Sequence, residues 1–376
     1  MSAVYNTDWD GLIDIIAYGL GQVGKRFIRL FDKRFNVRWI VDNGERCSEE
    51  YCGIPVISLE QMMLKRKEEK IIVFASRSAF FSIRNDLIEK GLKENKDFCK
   101  LDDFIRDWYW QFEEKNCLRE VHMAVNTNCT FQCKYCNMFM PYYKQPICYN
   151  AQDVAKDLSL FFERIDYVFS FAFLGGEPFL NQELEIMIEI LFENYREKVG
   201  QIEIITNGSL IPEKRVLETL KKCKVMIRIS DYTKRIPYID RMNELCSILD
   251  SYGICYSVEE SLQWTDFCFP ECTDKIEISN VRSHMLSCAP EFHGLNDGKF
   301  YYCHVSWSAE KAGIFKLKGS DFIRLEDIDN NKKACRKIVE YADGNMECGY
   351  VSLCEKCMGC GMDNNKFVLA GEQISR

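Results

Sequence analysis

Thr127-Asn128-Cys129-Thr130-Phe131-Gln132-Cys133-Lys134-Tyr135-Cys136 places three cysteines at CxxxCxxC spacing. Three thiolates on one short loop can hold three corners of a [4Fe–4S] cube and leave the fourth iron without a protein ligand. An open coordination position is where a substrate or cofactor binds, as at catalytic rather than structural metal sites. The preceding Val121-His122-Met123-Ala124-Val125-Asn126 alternates as a strand does, so the loop is expected at a strand's carboxyl end. The same thiols also admit a zinc knuckle or three unrelated buried cysteines. Zinc usually wants a fourth Cys or His close by, and His122 has no useful spacing for that.

Further along, Phe173-Leu174-Gly175-Gly176-Glu177-Pro178 ends an apolar run in two glycines and a carboxylate. The glycines permit a ligand to approach the backbone, and a carboxylate there is a natural partner for an ammonium group. Ile202-Glu203-Ile204-Ile205-Thr206-Asn207-Gly208 reads as a strand ending in TNG, and Val225-Met226-Ile227-Arg228-Ile229-Ser230-Asp231 as the next strand. In this order the motifs resemble those of radical S-adenosylmethionine (radical SAM) enzymes, over roughly residues 117–285. In that family an aromatic like Tyr135 directly precedes the third cysteine. The resemblance implies that Gly175, Gly176 and Glu177 grip the amino group of the methionine part of SAM. It further implies that Thr206 and Asn207 belong to a recurrent SAM-site element, and that Ser230 and Asp231 reach the ribose and carboxylate. Cys129, Cys133 and Cys136 would then be the cluster ligands.

A second cysteine set lies nearer the C-terminus. Cys288 and Cys303 stand in the pattern C-x9-G-x4-C around Gly298, and Cys348, Cys354, Cys357 and Cys360 come later. This is similar to the C-terminal SPASM/Twitch extension of many radical SAM enzymes, which holds auxiliary iron–sulfur clusters. A full SPASM set has further cysteines, and this chain lacks a partner two residues before Cys348 and any Cys after Cys360. One auxiliary [4Fe–4S] cluster is therefore expected, on Cys288 and Cys303 plus two of Cys354, Cys357 and Cys360. Both CxxC pairs fit, and a zinc ribbon on the same thiolates is the alternative. Cys268 and Cys272 form another CxxxC, with a weak claim on the same cluster. The other thiols, Cys47 among them, read as small buried hydrophobes. His304 comes directly after Cys303 and could hydrogen-bond near the cluster, whereas His122, His284 and His293 read as ordinary.

The first hundred or so residues are organised differently. Gly11 to Tyr18 reads as a buried strand leading into Gly19-Leu20-Gly21-Gln22-Val23-Gly24, a GxGxxG match. A helix is expected from Lys25 to Phe35, then a strand Val37-Arg38-Trp39-Ile40-Val41 ending in Asp42, 18 residues beyond Gly24. That is where a ribose-binding carboxylate belongs, with a pyrophosphate on the helix N-terminus. A strand Ile71–Ala75 and a helix around Ala79–Lys90 continue the alternation. This part resembles the Rossmann-like domain appended to various bacterial sugar- and polysaccharide-modifying proteins. Gly19, Gly21, Gly24 and Asp42 are its candidate nucleotide contacts.

The expected architecture is α/β. Residues 1–112 form a Rossmann-like parallel sheet, 113–283 a partial (β/α) radical SAM barrel, and 284–376 a small cysteine-rich Twitch/SPASM-like domain. Asp102–Trp110 would be a bridging helix, and helices around 154–162, 183–195, 212–222 and 238–252 alternate with the barrel strands. At 376 residues, 47% apolar, the chain can bury ordinary cores, while its net charge of −8 offers no basic run for a phosphate backbone. Nucleic acid and membrane are thus not expected partners. Met1–Asn6 lacks the pattern of a secretory signal, and 20 cysteines in a reducing compartment argue for metal over disulfides, so the cytoplasm is expected.

The resemblance implies reductive cleavage of SAM, hydrogen abstraction from a substrate, and an electron donor such as flavodoxin or ferredoxin. The appended Rossmann-like part favours a sugar, aminocyclitol or nucleotide-linked sugar. Maturation of a ribosomally made peptide is the second reading, although the N-terminal part lacks the winged-helix pattern common in such enzymes. A non-SAM iron–sulfur electron-transfer protein is the reading from another class, and such a relay needs neither GGEP nor TNG.

Overall fold

A computed structural model of the chain describes residues 13–31, 35–44, 49–271, 278–288, 293–361 and 364–374. Cys47, Cys272 and the first twelve residues lie outside them, so the readings placed there have no structural counterpart. The chain divides into two compact units, Met1–Glu114 and Lys115–Arg376.

In the first unit, β1 (Ile13–Tyr18), α1 (Gln22–Phe27), β2 (Phe35–Val41), β3 (Glu50–Tyr51), β4 (Ile54–Ile57), α2 (Leu59–Lys65), β5 (Lys70–Val73), α3 (Arg77–Glu89), β6 (Phe98–Lys100) and α4 (Leu101–Glu113) occur in order. The sheet runs β3-β4-β2-β1-β5-β6, all parallel except β3 against β4. β1 carries its sequential neighbour β2 on one side and β5 on the other, the reversal that defines a doubly wound sheet. Ile16, Val41, Ile71 and Val73 meet Met62, Phe80 and Leu87 of the helices in one core. The helix expected to reach Phe35 stops early. α1 ends at Phe27 and Phe35 opens β2, because that ring is buried against Phe31, Phe104 and Trp108. α4, expected as a bridge, packs its aromatics into this first unit.

The second unit begins with β7 (Cys117–Asn126), α5 (Ala151–Phe162), β8 (Tyr167–Gly175), α6 (Leu184–Tyr195), β9 (Val199–Thr206), α7 (Lys214–Lys222), β10 (Met226–Asp231), α8 (Ile239–Tyr252) and β11 (Tyr256–Glu260). It continues with β12 (Gln263–Thr265), α9 (Ile278–Cys288), β13 (His293–Asn296), β14 (Lys299–Tyr301), α10 (His304–Lys311), β15 (Ile323–Arg324), α11 (Lys332–Ala342) and β16 (Phe367–Leu369). β7 to β11 are a parallel βα series, and β13 returns to the free edge of β7. The resulting open sheet is β11-β10-β9-β8-β7-β13-β14-β15. The C-terminal stretch therefore shares a sheet with the βα series. Among the described residues no helix is long and apolar enough to cross a membrane.

Alternation along the parallel strands sorts residues between two faces. Val121, Met123 and Val125 of β7, Ile202 and Ile204 of β9, and Ile227 and Ile229 of β10 join the helices in the core. The intervening Glu120, His122, Glu203, Arg228 and Ser230 belong to the opposite face. That face carries the site.

Candidate functional site

A cavity of about 330 Å³ opens at the carboxyl ends of β7 to β10. Cys129, Cys133 and Cys136 share its wall with Leu174, Gly175 and Gly176 from the end of β8, and with Ile205, Thr206 and Asn207 from the end of β9. His122, Arg228, Ser230, Tyr232, Trp264 and His304 also line it.

The tricysteine loop is braced against the GGEP turn. Asn126 carbonyl oxygen accepts from Gly176 N–H (3.1 Å), Asn128 carbonyl oxygen accepts from Glu177 N–H (2.7 Å), and Asn126 Nδ2 donates to Glu177 carbonyl oxygen (3.0 Å). This approach requires glycine. A Cβ at Gly176 would lie 2.1 Å from Asn128 oxygen and 2.9 Å from Cys129 Cβ, and one at Gly175 would lie 2.3 Å from Asn126 oxygen.

Burial pushes the Cys129 thiol up to about 12 and the Cys133 thiol up to about 11, and raises Cys136 as well. Such thiols become thiolates by exchanging a proton for a metal. Phe131 N–H donates to Cys129 Sγ (3.5 Å), and Gln373 Nε2 donates to Cys133 Sγ (3.2 Å). Among the described residues no three His, Cys, Asp or Glu side chains converge as ligands of a single metal ion. Three thiols spread along one cavity wall, Cys133 buried and Cys129 and Cys136 half-buried, beside glycines that keep the wall open, suit a polynuclear cluster.

Of the residues the resemblance points to, Gly175, Gly176, Thr206, Asn207 and Ser230 line the cavity, whereas Tyr135, Glu177 and Asp231 do not. The Glu177 carboxylate, fully buried, turns instead to the TNG element. It accepts from Thr206 Oγ1 (2.8 Å), Asn207 N–H (2.9 Å) and Phe179 N–H (3.2 Å). Burial raises its carboxyl to about 7, against those three donors. Glu177 thus ties the GGEP turn to the TNG element. Asp231 Oδ1 accepts from Thr233 N–H (2.7 Å), and the Tyr135 ring lies under the Lys134 ammonium, 4.8 Å from its centroid.

Residues without a recognisable sequence motif form the floor. His122 Nε2 lies 2.8 Å from Glu120 Oε1, and Arg228 Nη1 donates to Glu120 Oε1 and Glu203 Oε2, each at 3.3 Å. Asn296 pairs with the backbone of Ala124: its Oδ1 accepts the N–H (3.0 Å) and its Nδ2 donates to the carbonyl (2.9 Å). That pairing fixes the amide, so His304 Nε2, 3.0 Å from Asn296 Oδ1, carries the proton. His304 Nδ1 is then a bare acceptor, and it is buried without a hydrogen-bond partner, as is the Arg228 Nε donor. Burial, helped by nearby His122, holds the His304 imidazolium well below the usual range.

The second cysteine set shares one pocket as well. Cys288 at the end of α9, Cys303 at the N-cap of α10, and Cys354, Cys357 and Cys360 line one apolar pocket with His284, Met285 and Leu353. Burial raises Cys354 well above the ordinary thiol range, and Cys357, Cys303 and Cys288 add to the shift. Cys303 is pushed up to about 12 by burial and by Cys288. Cys360 is exposed at the rim, its Sγ 3.8 Å from that of Cys288. Cys348 is exposed and bonds to Tyr350 carbonyl oxygen (2.9 Å).

In the first unit the glycine-rich turn has internal tasks. A Cβ at Gly24 would lie 2.0 Å from Gly19 oxygen, Gly19 sits at φ +107°, and Gly21 meets nothing within 4 Å. Asp42 Oδ2 accepts from Leu20 N–H (2.9 Å) and its Oδ1 from Gly44 N–H (3.0 Å). The carboxylate expected to meet a ribose therefore bonds to the glycine-rich turn and to its own loop, and α1 spans six residues.

Residues 123–232 match the model of the Radical SAM superfamily. This segment belongs to that superfamily. The three thiols and the glycine-lined cavity beside them are compatible with the cofactors that this match implies, a [4Fe–4S] cluster and S-adenosylmethionine. No curated protein matches the chain. It is similar to Streptococcus suis SuiB bound to S-adenosylmethionine, at 20% identity over 37% of this chain and 31% of that one, TM-score 0.29. It is also similar to anSMEcpe with bound AdoMet and Cp18Cys peptide (19% identity, 38% of this chain, 44% of that one, TM-score 0.30). BtrN in complex with AdoMet and 2-DOIA is a third (16% identity, 66% of this chain, 95% of that one, TM-score 0.40). The chain spans about a third of SuiB and under half of anSMEcpe, and likenesses of this size carry no substrate across.

Proposed function

We propose that this radical SAM enzyme binds its cluster on Cys129, Cys133 and Cys136 and acts on a small hydroxylated molecule: a sugar, an aminocyclitol or a nucleotide-linked sugar. The chemistry supplied at such a centre is one-electron reduction of the sulfonium, which releases methionine and a 5′-deoxyadenosyl radical able to abstract hydrogen. The chain's own residues provide the rest. The Gly175–Gly176 backbone keeps the wall beside the thiols open, and Glu177 holds that wall to Thr206 and Asn207.

One observation carries the substrate class. The cavity that holds the three thiols ends in a floor bearing an unpartnered acceptor, His304 Nδ1, and an unpartnered donor, Arg228 Nε. A buried polar atom without a partner is costly and points to a ligand. Hydroxyl groups both donate and accept, so a polyhydroxylated molecule satisfies both atoms at once. The Glu120–Arg228–Glu203 ion group holds the arginine in place for that contact.

For the auxiliary cluster we assign Cys288, Cys303, Cys354 and Cys357, the half-buried and mutually interacting set, with the exposed Cys360 at its rim. His304 is the residue directly after Cys303, so the floor of the cavity and the auxiliary set are adjacent in the chain. A cluster held on these four thiols would supply an acceptor for an electron from a substrate radical, and a net oxidation is the outcome it would favour. A flavodoxin or ferredoxin would supply the first electron.

Anaerobically purified protein should hold about eight irons, for two four-iron clusters, and release 5′-deoxyadenosine from SAM under reductant. Cys133→Ala should abolish that release. The substrate class is tested with C-deuterated sugars, cyclitols and nucleotide sugars, by deuterium appearing in 5′-deoxyadenosine. Transfer from peptides alone would overturn it, and SAM left intact by iron-loaded protein would overturn the whole reading.

A further inference from the structure

We infer that the C-terminal segment Gly371–Ile374 clamps the tricysteine loop, and that Gln373 is a positioning residue that raises the reduction potential of the cluster through its bond to Cys133. This rests on the assignment of Cys129, Cys133 and Cys136 as ligands.

The segment reaches the loop from the far end of the chain. β16 pairs antiparallel with β12, and Ala370 N–H donates to Leu262 carbonyl oxygen (3.1 Å), which brings Gly371–Ile374 alongside the cavity. Gly371, at φ +75°, turns against Tyr232, a cavity-lining residue. Two backbone bonds then join the tail to the loop on either side of Cys133. Lys134 N–H donates to Glu372 carbonyl oxygen (2.7 Å), and Ile374 N–H donates to Gln132 carbonyl oxygen (2.8 Å). Cys133 and Gln373 face each other as a β-bridge.

The Gln373 side chain completes the clamp in one orientation. Gln132 N–H donates to Gln373 Oε1 (2.9 Å), which identifies the oxygen and leaves the amino group for Cys133 Sγ, 3.2 Å away, and Gly371 carbonyl oxygen, 2.9 Å away. Cys133 is only 7% exposed beneath it. An N–H bond to a cluster sulfur disperses the charge gained on reduction and so stabilises the reduced form. Asn207 Nδ2 stands farther from Cys129 Sγ, at 3.7 Å. Cys133 is thus the ligand with the short side-chain amide contact, and that contact comes from 240 residues away.

The test uses the full chain with both clusters loaded, tracking the EPR signal that changes on adding SAM. Gln373→Leu should shift that signal's midpoint to more negative potential, with a tenfold fall in the reduced-to-oxidised ratio at a fixed poise, about 59 mV. An unchanged midpoint overturns the inference. Should Gln373→Leu fail to hold the cluster, wild-type protein labelled with 15N-glutamine decides. Hyperfine coupling from one side-chain amide nitrogen in the reduced, SAM-responsive signal supports the bond, and its absence sinks it. Wild-type protein that shows no SAM-responsive signal would instead refute the proposed function.

Discussion

The five auxiliary cysteines show how little separates a ligand from its neighbour. Cys354, Cys357 and Cys360 repeat the same CxxC step, and spacing alone leaves both pairs open. Exposure tells them apart: all three line the apolar pocket, but Cys354 and Cys357 are half-buried in it, whereas Cys360 is exposed at its rim. Cys354→Ala should therefore halve the iron content, from about eight to about four, while Cys360→Ala leaves it near eight; iron analysis and retained SAM cleavage check both. Gly176 is equally exacting. An added methyl would sit 2.1 Å from Asn128 oxygen, and a backbone atom cannot swing aside. Gly176→Ala should cost roughly 2–4 kcal/mol, read from the denaturant midpoint, and weaken SAM binding. Cys129, Cys133 and Cys136 were legible because their spacing is local. Arg228 was not, because it acquires its meaning from Glu120 and Glu203 on other strands, and His304, singled out only as the neighbour of Cys303, takes its place in the cavity floor through Asn296.

At the scale of elements, the βα order was readable from periodicity, and helices such as α5 and α8 fall close to the expected ranges. The hairpin β13–β14 was missed, although Asp297-Gly298 between its strands, both at positive φ, is a strong two-residue turn signal. That turn sits on α5, where Asp157 Oδ1 accepts from Gly298 N–H (2.7 Å). Burial, with the nearby Asp297 charge, raises the Asp157 carboxyl from 3.8 to about 6, against Gly298 N–H and Lys156. Asp297 is itself held by Tyr149, Trp307 and Lys311. Folding therefore favours neutral Asp157. The stability this contributes is complete below about pH 3.8 and is lost as pH rises through about 6. Asp157→Asn keeps an acceptor for Gly298 and removes the charge. It should raise stability by ~1–3 kcal/mol at pH 7.5 and leave it nearly unchanged near pH 3.5, as thermal unfolding at both pH values would report.

On the scale of the whole molecule, the chain is two compact units that meet at Glu114–Lys115 along the sequence. Each has a sheet and a hydrophobic core of its own. Every residue assigned to either cluster, and every residue of the cavity floor, belongs to the second unit. A chain beginning at Lys115 should hence retain about eight irons and cleave SAM; loss of iron on this truncation would show that the first unit is needed for assembly. The doubly wound order of the first sheet matches the expectation from its βα alternation, but the use of Asp42 cannot be inferred from its position. Its distance from Gly24 was visible, whereas its bonds to Leu20 and Gly44 required the folded loop.

What the amino-acid order determined by itself is the chemistry within reach of a few residues: three thiols on one loop, two glycines before a carboxylate, and strands alternating with helices. Only the tertiary structure decided which polar side chains close the cavity, which auxiliary thiols are shielded and which exposed, and that Gln373 covers Cys133. Local spacing constrains groups that the backbone holds within a turn or two. Hydrogen bonds between residues 240 positions apart depend on strand order and on which face each side chain takes, and these are settled by packing the whole chain.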